Sequence, residues 1–181
     1  KRQFFQERAG VFDFDFGSGG RRFHSRQIGL APDRTPVRML GGARVVARAG
    51  AWDLAALGVQ TERRDGIASE NLGVTRIRRR VFNPFSYAGG MVTSRVDGDG
   101  NYNVATGLDA SVRVFGNDYL TTRSAATFDG QEATPSLADR SQFYLQWERR
   151  TSRGLTYFTQ LHRVGADYRP DLGFLPRTDF S

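Results

Sequence analysis

The sequence contains no cysteine, so disulfide bonds and thiolate chemistry are excluded from any account of its stability or activity. Histidine is almost as scarce. His24 and His162 are the only two, and no second potential ligand lies near either in sequence, which argues against a metal site. Long hydrophobic runs are also missing, and since no stretch of about eighteen apolar residues occurs, we predict no transmembrane helix. The lack of cysteine suits an oxidising compartment such as the periplasm.

What the chain does contain favours strands over helices. Its 181 residues include 21 glycines and many aromatic and β-branched side chains, a composition typical of strands joined by tight turns. The net charge of +7 and the pI of about 10.5 permit contact with an anionic lipid, an acidic protein or nucleic acid. We expect one all-β domain over residues 1–181. Because the chain begins with Lys1 and shows no signal peptide, we interpret it as a processed product or a fragment of a larger barrel protein.

The clearest pattern lies between Asn103 and Phe128, where apolar and polar side chains alternate with period two. The predicted strand has an apolar face, formed by Val104, Thr106, Leu108, Ala110, Val112 and Val114, and a polar face, formed by Gly107, Asp109, Ser111 and Arg113. Its length of about ten residues is enough to cross a bilayer when the strand is tilted. A β-barrel with a polar, wet interior and an apolar exterior would account for both faces.

Similar patterns, separated by turn-forming residues, predict about nine strands joined by hairpins. The first is Val11–Phe16, where three phenylalanines alternate with two aspartates, and a second short strand is predicted at Arg22–Ile28. This series predicts an antiparallel β-barrel or part of one, with a β-sandwich as the alternative.

Three arginines form the main candidate binding site. Arg76, Arg78 and Arg80 share one face of a predicted strand, with Arg79 on the other face. Guanidinium groups in such a row are suited to an anion or to an acidic partner protein. The simpler interpretation, which we favour, is a solvated lumen face balanced by carboxylates on neighbouring strands, such as Asp109.

Aromatic residues near the predicted strand ends form a second candidate set. They are Trp52, Phe115, Tyr119, Trp147 and Tyr157. Such residues can lie at a membrane interface or stack on sugar rings. We favour the simpler interpretation, in which they are plain core or interface aromatics that need no ligand.

The carboxylates give little support for catalysis. Asp13 and Asp15 lie about 7 Å apart on one predicted face, with no evident partner acid for glycoside hydrolysis. The run from Asp97 to Asn101 has the oxygen spacing that begins a calcium loop, but Tyr102 and Leu108 stand where that loop needs Gly and Glu, so we predict a hairpin turn. We therefore predict no enzyme activity, no catalytic residue, no metal and no cofactor.

Several short motifs resemble those of a bacterial outer-membrane β-barrel family of unknown function. The matching segments are Lys1–Glu7 with Phe12–Phe14, Phe23–Gly29, Gly41–Arg44 followed by Gly50–Trp52, Asn71–Arg76, Val114–Asn117 and Pro170–Phe180. They occur in the family order from one end of the chain to the other. Members of that family usually carry an N-terminal domain similar to a family-nine carbohydrate-binding module, which is missing here, and their barrels continue past the final Asp-Phe. The chain therefore resembles the first part of such a barrel.

The resemblance implies a structural or anchoring role in the outer membrane, linked to carbohydrate binding and with passage of a solute as a further role. The expected partners are membrane lipid or a larger membrane protein assembly, with carbohydrate as a possible ligand and no nucleic acid. An alternative is a processed fragment that stabilises a larger membrane complex at its periplasmic face, through strand edges that a partner could cover. A glycan-active enzyme is the third and least favoured hypothesis.

Overall fold

A computed structural model describes residues 9–16, 28–29, 36–64, 66–130 and 135–173. In these residues the chain forms one 3₁₀ turn, Ala9–Phe12, and one sheet of eight antiparallel strands. The strands are Met39–Ala49 (β1), Trp52–Thr61 (β2), Glu70–Arg80 (β3), Tyr87–Asp97 (β4), Tyr102–Phe115 (β5), Asp118–Asp129 (β6), Ser141–Arg149 (β7) and Phe158–Val164 (β8). The predicted all-β fold is therefore confirmed.

The sheet is a meander in which each strand pairs with the next along the chain, from β1 to β8. Within the described ranges β1 and β8 have a strand neighbour on one side only, so the sheet is not closed. An open, curved sheet is consistent with part of a barrel and with a sandwich. No helix among the described residues is long and apolar enough to cross a membrane.

The predicted strand at Val11–Phe16 is wrong. The segment opens with the 3₁₀ turn and then continues without joining the eight-stranded sheet. Alternation separates the two sides of any extended segment, but a strand also needs a neighbouring backbone to accept and donate hydrogen bonds. The side of each residue was nevertheless predicted correctly, because Phe12, Phe14 and Phe16 are buried whereas Asp13 is exposed. The predicted strand at Arg22–Ile28 lies largely outside the described residues.

Over part of the sheet the two faces are inverted relative to those of an ordinary soluble domain. On β5, Leu108 is 67 % exposed whereas its neighbour Asp109 is only 5 % exposed. On β3, Ile77 is 42 % exposed next to a buried Arg76. We call the face that carries Leu108 and Ile77 the outward face, and the face that carries Arg76 and Asp109 the inward face. The alternation predicted for β5 is confirmed with this assignment.

The inward face curls around the N-terminal segment. The Arg44 guanidinium of β1 lies 5.4 Å from the centre of the Phe12 ring, and Phe14 lies 5.4 Å from Phe16 between ring centres. Phe16 in turn stacks on His162 of β8, with ring centres 6.3 Å apart. A single short segment thus contacts the first and last strands, which requires strong curvature of the sheet between them.

The interior is packed rather than wet, which corrects the expectation of a water-filled lumen. The three phenylalanines join a buried cluster with Leu57, Val74, Tyr168 and other residues of the inward face. The polar residues of this face are buried as well, since Ser111 is 5 % exposed and is hydrogen-bonded to Thr121. The inward face is therefore a mixed polar and apolar core that side chains fill.

Candidate functional site

The candidate arginine row splits into three different environments. Arg76 is fully buried and forms a two-pronged ion pair with Asp109, with both N–O distances at 2.6 Å. Paired hydrogen bonds of this geometry are among the strongest a guanidinium group makes. The plane of Phe14 lies over the same group, 5.2 Å from its central carbon. Arg76 is therefore closed off by its own chain. The predicted counter-charge, Asp109, is confirmed, but the solvated lumen face predicted around it is wrong, because both side chains are buried.

A glycine lets this ion pair form across an intervening strand. Arg76 lies on β3 and Asp109 on β5, and Gly89 of β4 is the residue that pairs with Asp109. A Cβ atom at Gly89 would lie 3.2 Å from a terminal nitrogen of Arg76 and 2.6 Å from the backbone oxygen of Ile77. The missing side chain thus leaves the space through which the arginine reaches its partner.

We expect Gly89→Ala to destabilise the fold by about 1–3 kcal/mol, the usual cost of forcing an extra methyl group into a packed site. Gly58→Ala is the matched control, because a Cβ atom at Gly58 of β2 meets nothing within 4 Å. The control should be neutral or stabilising by up to about 1 kcal/mol, since alanine restricts the unfolded chain. Urea titrations of both variants test this, and equal effects would contradict the proposed role of Gly89.

Arg78 and Arg80 lie further along the same face, towards the end of β3. Arg78 donates to Asp53 at 3.0 Å and stacks on Tyr87. Arg80 is exposed and donates to the carbonyl of Gly50. Of the three predicted anion-contact residues, Arg80 is therefore the one whose guanidinium remains at the surface.

The five candidate aromatic residues all lie at one end of the sheet. This end carries the turns and loops β1–β2, β3–β4, β5–β6 and β7–β8, and we call it the hairpin end. Phe115 contacts Trp147 edge to face, with ring centres 5.9 Å apart. In addition to the stack of Arg78 on Tyr87, four arginine–aromatic stacks lie at this end. They pair Arg79 with Trp52, Arg113 with Phe85, Arg149 with Tyr157 and Arg150 with Tyr119. This mixture of rings and cations resembles the side-chain chemistry of a membrane interface.

One buried carboxylate organises part of this end. Asp118 accepts hydrogen bonds from Arg149 at 2.6 Å, from the Trp147 indole at 3.4 Å and from the Tyr157 hydroxyl. The hydrogen bond to Asp118 raises the pKa of Tyr157, because the phenol must keep its proton to donate it. Sequence reasoning missed this cluster, although Asp118 stands in a turn-forming run where a structural carboxylate is common.

The opposite end of the sheet is held by acidic and basic residues in pairs. Arg95 bonds both Glu70 and Asp171, and Arg63 bonds Asp99 at 2.6 Å. Burial raises the pKa of Asp171, in spite of the opposing effect of the nearby Arg95. Asp97 accepts from two backbone amides of its own turn, so the hairpin predicted here in place of a calcium loop is confirmed.

The outward face carries a shallow apolar groove of about 650 Å³. Its walls include Ile77, Val92, Leu108 and Phe143, while Gly90 and other small residues of β4 to β6 form its floor. The groove runs from the middle of β3 to β5 to Leu137 in the β6–β7 loop, and Leu137 is itself 60 % exposed.

The described residues present exposed surfaces rather than a cluster of reactive groups. Among the described residues no group of three His, Asp or Glu side chains is placed to hold a metal ion. Asp13 and Asp15 point away from the three buried phenylalanines. The features that remain are the apolar outward face and the cationic, aromatic hairpin end.

Comparisons with protein-family models, curated proteins and solved structures found no match to this chain.

Proposed function

We propose that this chain is a non-enzymatic segment of an outer-membrane-type β-barrel with a structural or anchoring role. In the form that the family resemblance suggests, it anchors or presents a carbohydrate-binding module, with passage of a solute as a further role. The supporting observation is the outward face, on which aliphatic side chains are exposed, while the inward face encloses the Arg76–Asp109 ion pair. Transmembrane barrels have this distribution because their exterior contacts lipid.

The energetics of the outward face support a lipid environment. A leucine, isoleucine or valine side chain gains about 1.5–3 kcal/mol when it is removed from water. If the outward face meets water, a large part of this free energy is not gained, because the aliphatic side chains of that face are about 40 % exposed or more. These side chains are Leu54, Ile77, Val92, Leu108 and Leu161. Lipid acyl chains would cover the whole row at once.

Flotation with vesicles tests the proposal. The refolded chain should float with phosphatidylcholine vesicles in a density gradient and show a strand-rich circular dichroism spectrum there. Without lipid or detergent it should associate or precipitate, because its outward face is then exposed. A chain that is monodisperse in buffer and stays at the bottom of the gradient would contradict the membrane role.

The second candidate function is that of a structural subunit in a larger membrane protein complex. It is favoured by the two sheet edges, because β1 and β8 each leave one row of backbone groups without a strand neighbour among the described residues. Extraction distinguishes the two functions. A subunit held at a membrane face is released by a high-salt or alkaline wash, whereas a barrel segment needs detergent.

A further inference from the structure

Positive charge is concentrated at one corner of the sheet, where the turn β1–β2 meets the end of β3. Arg48, Arg78, Arg79 and Arg80 lie there with one carboxylate, that of Asp53. We call this group the basic corner. It has four guanidinium groups for one carboxylate, so three positive charges are in excess.

Two of these guanidinium groups have no carboxylate partner in the described part of the chain. Asp53 accepts from Arg48 at 2.5 Å and from Arg78 at 3.0 Å, and this uses both of its oxygens. Arg79 and Arg80 form no ion pair within 4.0 Å with a described carboxylate, and both are exposed. They are therefore available to an external anion.

The Trp52 ring lies directly beside one of these cations, and an exposed phenylalanine follows them closely in sequence. The Arg79 guanidinium lies 5.0 Å from the centre of the Trp52 ring, and the two residues pair across β2 and β3 on the outward face. Phe82, two residues after Arg80, is 90 % exposed and has a backbone φ of 60°. A bulky residue in this left-handed region has a strained backbone. The exposure of its ring to water is a second, separate cost in free energy.

Elsewhere at the sheet ends positive charge is less concentrated. Arg113 also has no carboxylate within 4.0 Å among the described residues, but it is a single guanidinium group, which bonds Asn117 and stacks on Phe85. At the hairpin end, Arg149 pairs with Asp118 and Arg150 with Glu148. At the opposite end, among the described residues from 36–42, 59–72, 94–104, 127–142 and 164–173, eight carboxylates face six arginines. The basic corner therefore differs from the other groups at the sheet ends in its excess of three positive charges, next to the Trp52 ring.

We propose that the basic corner binds the headgroup of an anionic phospholipid, with Arg79 on the phosphate from the outward face, Arg80 adding positive charge at the end of the strand, and Trp52 and Phe82 among the first acyl carbons. This inference rests on the membrane role proposed above and adds an orientation to it, since the hairpin end then faces the leaflet with the more anionic lipid. One guanidinium group can bind two phosphate oxygens at once. Each basic side chain near an anionic bilayer adds further electrostatic attraction. The net positive charge also disfavours a zwitterionic headgroup, whose choline group is cationic.

Lipid titration of the full chain in nonionic detergent micelles tests this proposal. Trp147→Phe leaves Trp52 as the sole tryptophan, and its fluorescence reports on the corner. Short-chain phosphatidylglycerol should change this signal at lower concentration than short-chain phosphatidylcholine. In the same background Arg79→Gln with Arg80→Gln should weaken the phosphatidylglycerol affinity about 30-fold, from roughly fivefold for each basic group. The matched control, Arg38→Gln with Arg63→Gln at the opposite end, should change it less than twofold.

Two results would overturn the proposal. One is equal phosphatidylglycerol affinity in the Arg79/Arg80 variant and its parent. The other is a full Trp52 response to inorganic phosphate alone, which would identify a site for soluble phosphate. The proposed membrane role fails separately, if the chain stays monodisperse without detergent or lipid. If the chain still floats with vesicles but does not select anionic lipid, only the present inference fails.

Discussion

Leu108→Arg should destabilise the bilayer-inserted protein by about 2–4 kcal/mol, the cost of a guanidinium on a lipid-facing strand near the membrane midplane. Leu108 stands in the middle of β5, a strand of 14 residues, and points outward. The same change in water would cost within about 0.5 kcal/mol, because a side chain that is 67 % exposed has few contacts to lose. The variant therefore separates a lipid environment from an aqueous one by a large margin.

Asn71→Arg is the matched control for this change. Asn71 also points outward, but it lies near the end of β3 and is exposed. An arginine near the bilayer interface costs only about 0–1 kcal/mol. Urea titrations of both variants in phosphatidylcholine vesicles give the comparison, and a Leu108→Arg cost as small as that of the control would contradict a lipid-facing β5.

The second large effect is expected at the buried ion pair. Asp109→Leu should cost about 3–5 kcal/mol, because it leaves the Arg76 guanidinium buried without its counter-charge. The side chains are 0 % and 2 % exposed, and Phe14 covers the pair, so water cannot replace the lost carboxylate. Arg76→Met should cost a similar amount, because it leaves the Asp109 carboxylate buried without its counter-charge.

The double variant, Arg76→Met with Asp109→Leu, should recover most of this loss, since an apolar pair of similar volume often replaces a buried ion pair without cost. The two single effects must then be strongly non-additive. Unfolding titrations of the three variants close the cycle. Additive effects would mean that the two side chains act independently, and that Arg76 has another source of stabilisation.

The alternation of β5 could be predicted from sequence because period two fixes the two faces whatever the strand packs against. The same pattern at Val11–Phe16 predicted that the three phenylalanines share one side but wrongly predicted a strand, because strand pairing depends on which neighbours the rest of the fold provides. The direction of burial also had to come from the structure. A polar face can be solvated or enclosed, and on β5 it is Asp109 and Ser111 that are enclosed.

The functional sites were predictable in part. The sequence placed Arg76, Arg78 and Arg80 on one face, because residues two apart on a strand point the same way. The same alternation on β5 put Asp109 on a polar face, where it was named as a counter-charge. The sequence could not show that Gly89 opens the path between Arg76 and Asp109, since that depends on the register of three strands. Nor could it find the role of Asp53 at the basic corner, whose two arginine partners come from different strands.

The position of the aromatic residues follows from chain connectivity once the strands are known. In a meander, every second hairpin lies at the same end of the sheet, so Trp52, Phe115 and Tyr157 come together although they are far apart in sequence. Counting strands wrongly within this region would have placed them at opposite ends. The prediction of interfacial aromatics thus depended on hairpins that the turn signals at Gly50 and Gly116 marked correctly.

Lipid contact of the outward face is the central claim, and site-directed quenching measures it most directly. The chain has no cysteine, so Leu108→Cys gives one attachment point for an environment-sensitive fluorophore. Gln60→Cys, outward but near the end of β2, provides the comparison. In vesicles, lipids brominated in mid-chain should quench the label at position 108 strongly and the label at position 60 weakly, while aqueous iodide should do the reverse. Strong iodide quenching at position 108, without quenching by brominated lipid, would contradict the account.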